Sequence, residues 1–208
     1  MKRSKSSSRW IESHENDEYV QRARREGYRS RACYKLLEID EKYALLRSGM
    51  TVVDLGAAPG GWTQVALKKV GPAGFVVGID LLEMEPMSGA HLLKGDFTSE
   101  DSLNELMVLL DGREVDLVIS DMAPNLSGKR DIDQPRAMYL LELAVDFAQT
   151  VLKRDGAFLS KCFEGAGINE VREIIRRDFK QLNNLKPKAS RNKSREAYLL
   201  GRGYKGAK

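Results

Sequence analysis

The sequence predicts an α/β fold with a doubly wound, mostly parallel sheet and helices on both faces. From residue 50 onward, short runs rich in β-branched residues alternate with helical stretches, and this alternation is typical of parallel βαβ units. The chain has 208 residues, which is long enough for one sizeable core and short for two. Two extended runs at the end would complete seven strands with an antiparallel hairpin.

The individual elements follow from hydrophobic periodicity. Apolar residues at spacings of three and four predict helix from 17 to 46, and Gly27 divides it into two. The most regular later helix begins at Pro135, which suits a first turn. Strands are predicted at 51–55, 75–80, 91–94, 115–120 and 157–163, helices at 62–70, 99–110, 135–153 and 168–179, and the hairpin at 183–188 and 197–201.

Composition excludes several classes of protein. Hydrophobic residues make up 42% and charged residues 31%, as in an ordinary globular protein. The longest apolar runs fall short of the roughly 18 residues that span a bilayer, and the basic start lacks a signal peptide's apolar segment. We therefore expect a cytoplasmic protein without membrane association. Two cysteines and two histidines, Cys33, Cys162, His14 and His91, cannot build a structural zinc site, so no metal is expected.

Charge is distributed unevenly along the chain. Residues 1–35 carry ten Lys/Arg against five Asp/Glu, residues 176–208 carry eleven against two, and the segment between them carries thirteen against twenty-three. Basic ends on an acidic body suit a protein whose ends hold a phosphate backbone. Solvated termini are the alternative, and we favour it for the first nine residues. We expect residues 1–16 to form a flexible basic tail.

A small-residue loop follows the first predicted strand, in the run Asp54-Leu55-Gly56-Ala57-Ala58-Pro59-Gly60-Gly61-Trp62. Such a loop lets the backbone approach a ligand, and the next helix offers free N–H groups at its N-terminus. The dinucleotide fingerprint would need glycine where Ala58 stands, and a P-loop would need Gly-Lys-Ser/Thr where Gly61-Trp62-Thr63 stands. A nucleotide-type ligand is indicated, with a tight structural turn as the alternative.

Acidic residues end the next three predicted strands, at Asp80, Asp96 and Asp121. In an open α/β sheet, ligands bind outside the carboxyl ends of the strands, and an acid after the second strand suits a ribose diol. Asp96 would accept from an adenine amino group while Phe97 stacks, and Asp121 would face the reactive end. Each aspartate alone suits a cap or turn, but three in series favour a binding site.

Five motifs occur in order along the chain: RSRACYKL (29–36), DLGAAPGGW (54–62), SDMAPN (120–125), KCFEG (161–165) and SREAYL (194–199). Together they resemble the FtsJ/RrmJ family of ribosomal RNA large-subunit 2'-O-methyltransferases. The resemblance implies a Rossmann-like methyltransferase fold in a single domain, 1–208, with a helical RNA-binding extension at 17–48 and a catalytic core at 49–202. It also implies 2'-O-methylation of a uridine ribose in 23S-type ribosomal RNA, in the assembled 50S particle.

The resemblance further implies the cofactor and the site residues. S-adenosyl-L-methionine would be held by residues matching Gly60, Trp62, Asp80, Asp96 and Asp121. The family's catalytic tetrad of two lysines and two acids falls on Lys35, Asp121, Lys161 and Glu196.

The tetrad is chemically reasonable, because a ribose hydroxyl is a poor nucleophile that needs an aligned proton acceptor. Burial and the cofactor's positive sulfonium would both favour neutral Lys161, which we expect to accept the hydroxyl proton. Asp121 and Glu196 would instead favour the charged form of Lys161, so their expected role is to orient its amine and Lys35. Without the resemblance, Lys35 would be interpreted as a solvated residue on a basic helix and Glu196 as a surface strand residue. Lys161 is unusual because it is a charged residue within an apolar strand, although its amine could extend to solvent.

The expected partner is ribosomal RNA or the large ribosomal subunit, bound by a monomer. Basic residues on both sides of the site would contact the RNA: Arg22, Arg24, Arg25, Arg29, Arg31, Lys188, Arg191, Lys193 and Arg195. Three alternatives are weaker. A nicotinamide oxidoreductase lacks its glycine fingerprint, a base methyltransferase lacks its aromatic motif or a well-placed nucleophilic Cys162, and a non-catalytic RNA-binding assembly factor predicts a broken tetrad.

Overall fold

The computed structural model describes residues 17–191 and 194–206, in which six helices and seven strands alternate. The helices are α1 (Glu18–Glu26), α2 (Cys33–Tyr43), α3 (Gly61–Val70), α4 (Glu100–Leu110), α5 (Arg130–Val151) and α6 (Ile168–Asp178). The strands are β1 (Thr51–Leu55), β2 (Phe75–Asp80), β3 (Ala90–Lys94), β4 (Val115–Ser120), β5 (Leu152–Phe163), β6 (Phe179–Leu185) and β7 (Glu196–Tyr204). The predicted basic tail, 1–16, lies outside the described residues.

The seven strands form one sheet in the order β3-β2-β1-β4-β5-β7-β6. The first five are parallel, and β7 runs antiparallel to both β5 and β6. The predicted mostly parallel seven-stranded sheet with a final antiparallel hairpin is confirmed. Strand order reverses between β1 and β4, and at such a switch point the carboxyl ends of neighbouring strands open a crevice.

Successive side chains of each buried strand enter two separate cores, as the two-residue period of a strand requires. Val53 packs on the face covered by α4, α5 and α6, whereas Val52 packs on the face covered by α1, α2 and α3. Three helices therefore cover each face, and the predicted helical extension is packed onto the sheet as part of the second core.

The N-terminal helices are separated where the sequence predicts. The Asp17 side chain accepts from Tyr19 N at 3.0 Å and Val20 N at 3.4 Å, which caps the start of α1. Gly27 ends α1 with φ +73°, a left-handed conformation that favours glycine. The chain then turns so that α2 follows with Lys35 in its first turn.

Several predicted boundaries are wrong. Strand β5 begins at Leu152, not 157, and β7 extends to Tyr204, not 201. Helix α5 begins at Arg130, not Pro135, because the Asp133 carboxylate accepts from Ser127 N and Gly128 N and fixes an earlier first turn. Strand β6 spans Phe179–Leu185 instead of 183–188. The chain leaves the sheet before Pro187, which has no N–H to donate to a neighbouring strand.

Among the described residues, no helix is both long and apolar enough to cross a membrane. The same residues contain no group of three or more His, Cys, Asp or Glu side chains arranged to hold a metal ion.

Candidate active site

Four predicted catalytic residues converge at the carboxyl end of the sheet from four different elements. Lys161 lies near the end of β5, Asp121 directly follows β4, Glu196 begins β7, and Lys35 lies on α2. The antiparallel register of β5 and β7 pairs Lys161 with Tyr198 and Phe163 with Glu196. Residues 161 and 196 are therefore brought to the same end of the sheet, and Glu196 also contacts Lys35 from the other end of the sequence.

The four side chains form one ion-pair network. Lys161 Nζ lies 2.9 Å from Asp121 Oδ1 and 3.9 Å from Glu196 Oε2, while Lys35 Nζ lies 2.7 Å from Glu196 Oε1 and 3.8 Å from Asp121 Oδ1. Lys161 Nζ also donates to the Asp121 backbone carbonyl at 2.6 Å. Each lysine thus contacts both acids, and the formal charges cancel.

The network is largely shielded from solvent. The Lys161 side chain is 8% exposed and the Asp121 side chain 18%. Burial alone would raise the pKa of Asp121, but the positive charges of Lys161 and Lys35 outweigh it and hold the pKa of this carboxyl below its usual 3.8. Asp121 is therefore ionised at neutral pH.

Tyr198 completes the network and was missed by the sequence interpretation. Its hydroxyl donates to Asp121 Oδ1 at 2.6 Å and lies 3.4 Å from Glu196 Oε1. Burial first, and then the two carboxylates, raises its pKa well above the usual 10.0, so the hydroxyl keeps its proton. The available signal was its spacing: Tyr198 lies two residues after Glu196 on a strand and so shares its face.

The loop between β1 and α3 forms the other side of the site. Gly56 N donates to Ile79 O at 2.9 Å, and Ala58 N donates to Asp80 Oδ2 at 3.0 Å, so the loop is bound to the end of β2. Gly60 has φ +107°, and a Cβ there would lie 2.9 Å from Met87 Cε. The backbone at Gly60 is therefore closely packed where α3 begins.

The Trp62 side chain is packed inside the protein, whereas a ligand-facing side chain was expected. The residue is 3% exposed, and its indole N–H donates to Ala32 O at 2.7 Å. Its ring centroid lies 5.7 Å from that of Tyr198. The indole therefore supports the first turn of α2, and the backbone N–H in the first turn of α3 is the part of Trp62 that remains for a ligand.

The aspartates at the ends of β2 and β3 accept bonds from their own loops. Asp80 accepts from Ala58 N and from Leu82 N, the latter at 2.8 Å. Asp96 is exposed, and its Oδ1 accepts from Thr98 N at 2.8 Å and from Thr98 Oγ1 at 2.7 Å, which lowers its pKa. Both carboxylates retain acceptor capacity for a ligand.

The stacking role expected for Phe97 does not fit the structure. Phe97 is 6% exposed, and its ring meets Phe147 edge to face in the core, with centroids 5.5 Å apart. The ring therefore anchors the segment that carries Asp96 and does not face the crevice.

Several arginines assigned to an RNA surface have intramolecular partners, most extensively Arg29 and Arg31. Arg29 donates to Glu85 O at 2.7 Å, Pro86 O at 2.9 Å and Pro59 O at 3.4 Å. Arg31 pairs with Asp17 and donates to Ala189 O. The sequence shows their charge but not these acceptors, which lie far away in sequence. Lys193 lies outside the described residues, while Arg22, Arg24, Arg25, Lys188, Arg191 and Arg195 are exposed.

Cys162 cannot serve as a methyl-accepting nucleophile in this arrangement. It alternates with Lys161 along β5 and is buried in the core beneath α5 and α6. Burial raises the pKa of its thiol to about 12, so little thiolate exists at neutral pH. The structure therefore argues against a carbon-directed base methyltransferase.

The site can therefore bind an extended polar ligand along the strand ends and hold a hydroxyl beside Lys161.

Comparisons with known proteins agree with this arrangement. Residues 28–204 match the model of the FtsJ-like methyltransferase family. A ribosomal RNA large subunit methyltransferase E from Alkalilimnicola ehrlichii is 57% identical over 98% of this chain and 97% of its own. Another, from Chromohalobacter salexigens, is 54% identical over the same shares.

A solved structure supports the same assignment. A ribosomal RNA methyltransferase from Plasmodium falciparum superposes with a TM-score of 0.77 at 26% identity, over 86% of this chain and 100% of that one. The family match, the close relatives and the shared fold all agree. The chain belongs to the FtsJ-like methyltransferase family and is an enzyme of that family.

Proposed function

We propose that the enzyme uses S-adenosyl-L-methionine to methylate the 2'-hydroxyl of a uridine ribose in large-subunit ribosomal RNA. Its substrate in this proposal is the assembled 50S particle, on which it acts as a cytoplasmic monomer. The observation that carries the proposal is the ion-pair network of Lys35, Asp121, Lys161 and Glu196 beside the glycine loop. A hydroxyl nucleophile needs an oriented proton acceptor next to the methyl donor, and the network places an amine there.

The residues present fit the proposed cofactor. Free N–H groups at the start of α3, near Gly60 and Trp62, suit a carboxylate. The Asp80 carboxylate suits the ribose diol and Asp96 suits the adenine amino group. Asp121 follows β4, which in the sheet lies between β2 and the Lys161 strand, β5. When bound, S-adenosylmethionine supplies an electrophilic methyl group on a positive sulfonium.

Lys161 is the proposed proton acceptor. Its amine is fixed at two points, by the Asp121 carboxylate and by the Asp121 backbone carbonyl. The other three members of the network carry a net charge of −1, which favours the ammonium form of Lys161, whereas the positive sulfonium of a bound cofactor would act in the opposite direction. Neutral Lys161 can then take the hydroxyl proton as the oxygen attacks.

Lys35 and Glu196 are proposed to position the reacting groups. Lys35 Nζ is paired with Glu196 and lies 5.6 Å from the centre of the Tyr198 ring. Glu196 Oε1 also accepts from Ser190 Oγ at 2.8 Å. These contacts hold the second lysine toward the network, where its positive charge can orient the RNA's ribose and phosphate.

The described part of segment 17–48, together with the strand β7 region, supports an RNA-binding role. Arg24 and Arg25 are exposed on α1, and Lys188 and Arg191 are exposed before β7. In this proposal, segment 17–48 is an RNA-binding extension of a catalytic core at 49–202. Phosphate and 2'-hydroxyl contacts from such side chains would dock the substrate beside the network.

Transfer of a tritiated methyl group to large subunits that lack the modification tests the proposal, with the labelled ribose mapped afterwards. We expect 2'-O-methyl label with the wild type and its loss in Lys161→Ala. Lys153→Ala is the matched control, because Lys153 lies on the same strand, β5, but pairs with Asp116 away from the site. The control should keep wild-type activity.

The pH dependence of single-turnover methylation separates the two roles of Lys161. A rate that rises with pH through one ionisation, absent in Lys161→Ala, supports proton acceptance. A lower but pH-independent rate would leave positioning as its role. No label on any RNA, despite cofactor binding, would favour a non-catalytic assembly factor, whereas label on another RNA would change the substrate alone.

A further inference from the structure

A groove beside the ion-pair network is not used by the mechanism above. It has a volume of about 260 Å³ and is lined by Leu126, Arg130, Phe163 and Arg195, among others. Two features place it next to the network. Phe163 pairs with Glu196 in the β5–β7 register, and Arg195 directly precedes Glu196.

The groove has an apolar wall that the protein leaves uncovered. The Leu126 side chain is among the exposed large hydrophobic groups, at 61%. Its loop is nonetheless held in place, because the Asp133 carboxylate accepts from Ser127 N at 2.8 Å and from Gly128 N at 3.0 Å. Together with Phe163, Leu126 gives the groove an apolar side next to its charged residues.

The charged side chains of the groove favour an anion. Arg130 has no hydrogen-bond or ion-pair partner among the described residues, and Arg195 makes one bond, to Glu164 O at 3.3 Å. The carboxylate of Asp133, which also lines the groove, is occupied by the Ser127 and Gly128 donors. The floor is neutral and fixed, since Gln134 Nε2 donates to Ala166 O at 3.0 Å and to Phe163 O at 3.3 Å.

We propose that this groove holds a nucleotide of the substrate RNA at or next to the methylated position. Its base would contact Leu126 and Phe163, and its phosphates would contact Arg130 and Arg195. A nucleotide has a planar base next to a negatively charged phosphate. An apolar wall flanked by arginines can contact both parts. The small volume suits one base, since drug-sized ligands occupy roughly 300–1,000 Å³. The inference rests on the proposed RNA substrate.

Steady-state methylation of unmodified large subunits tests the proposal at several salt concentrations. Arg130→Ala should raise KM about tenfold and make the dependence of log KM on log salt shallower by about one. Leu126→Ser should raise KM severalfold with an unchanged salt slope. Arg136→Ala is the matched control, because Arg136 is exposed on α5 but does not line the groove. It should stay within about twofold of wild type.

Two further measurements distinguish the possible failures. S-adenosylmethionine affinity should be equal in all four proteins, and filter binding to protein-free ribosomal RNA should show the same Arg130 defect. Equal KM values for Arg130→Ala and Arg136→Ala, or a normal KM for Leu126→Ser, would overturn the inference. A defect on particles but not on free RNA would assign the groove to a ribosomal protein and also overturn it. If the wild type labels no RNA ribose, the proposed function itself fails.

Discussion

The Tyr198 hydroxyl donates to Asp121 Oδ1 at 2.6 Å, and this bond joins β7 to the residue that follows β4. Asp121 Oδ1 also lies 2.9 Å from Lys161 Nζ. One carboxylate oxygen therefore contacts both the tyrosine hydroxyl and the lysine amine. The tyrosine fixes the orientation of the carboxylate against which the amine is held.

Replacing Tyr198 by phenylalanine should lower kcat about tenfold, because one buried bond to Asp121 is lost and the amine becomes less well aligned. KM for the particle and the affinity for S-adenosylmethionine should change little. Single-turnover kinetics and calorimetry provide these values. Tyr139→Phe, at an exposed tyrosine of α5, is the control. A normal kcat in Tyr198→Phe would show that Lys161 needs no such support.

Asp54 should make the protein less stable as pH rises from 3.8, the usual pKa of an aspartate, to about 7. Burial first raises its pKa to about 7 from 3.8, and its Oδ1 has no hydrogen-bond partner among the residues that the structure describes. Between these values the unfolded chain releases a proton that the folded protein retains, so the free energy of unfolding falls with rising pH. The expected fall is on the order of 2–4 kcal/mol.

Urea unfolding of the wild type and Asp54→Asn between pH 4 and 8 tests this prediction. The variant should show a flatter dependence on pH, since its side chain does not titrate. Asp111→Asn, at an exposed position, should retain the wild-type slope. Parallel curves for Asp54→Asn and the wild type would contradict the assignment.

The sequence predicts the central strands well because the signals for them lie within each strand and its flanking turns. Thr51–Leu55, Phe75–Asp80 and Val115–Ser120 are found at their predicted bounds, since continuous β-branched runs between turn residues suit a sheet buried on both faces. The start of α5 is not predictable in this way. It depends on the Asp133 carboxylate binding a loop, and no hydrophobic period records that contact.

The predicted site residues converge for a similar reason, since acids at strand ends must meet at one edge of a parallel sheet. The functions of individual charges are harder to predict. Arg29 is indistinguishable in sequence from a phosphate-binding arginine, but its acceptors are backbone carbonyls near residues 59 and 85. Such contacts depend on the tertiary fold.

Gly60→Ala should weaken S-adenosylmethionine binding at least tenfold. Its φ of +107° strains any side chain, and a Cβ would lie 2.9 Å from Met87 Cε and 3.1 Å from Arg29 Cδ. The loop would have to move at the start of α3. Gly112→Ala is the matched control, because Gly112 also has a positive φ, +71°, but no atom of the described residues lies within 4 Å of a Cβ added there. Calorimetry should show normal cofactor affinity for the control and a modest loss of stability.

Arg29→Ala should impair cofactor binding more than RNA binding, contrary to what its charge suggests. Its guanidinium joins the Gly60 loop, through Pro59 O, to the segment after β2, through Glu85 O and Pro86 O. Without these bonds, both segments lose a common anchor, and the affinity for S-adenosylmethionine should fall about tenfold. The salt dependence of RNA binding should stay unchanged, since Arg29 contacts no phosphate in this arrangement.

Arg25→Ala is the control, because Arg25 is exposed on α1. It should show the reverse pattern, with normal cofactor affinity and a shallower salt slope. Calorimetry with the cofactor and filter binding with ribosomal RNA measure the two effects separately. A shallower salt slope for Arg29→Ala with unchanged cofactor affinity would return Arg29 to the RNA surface.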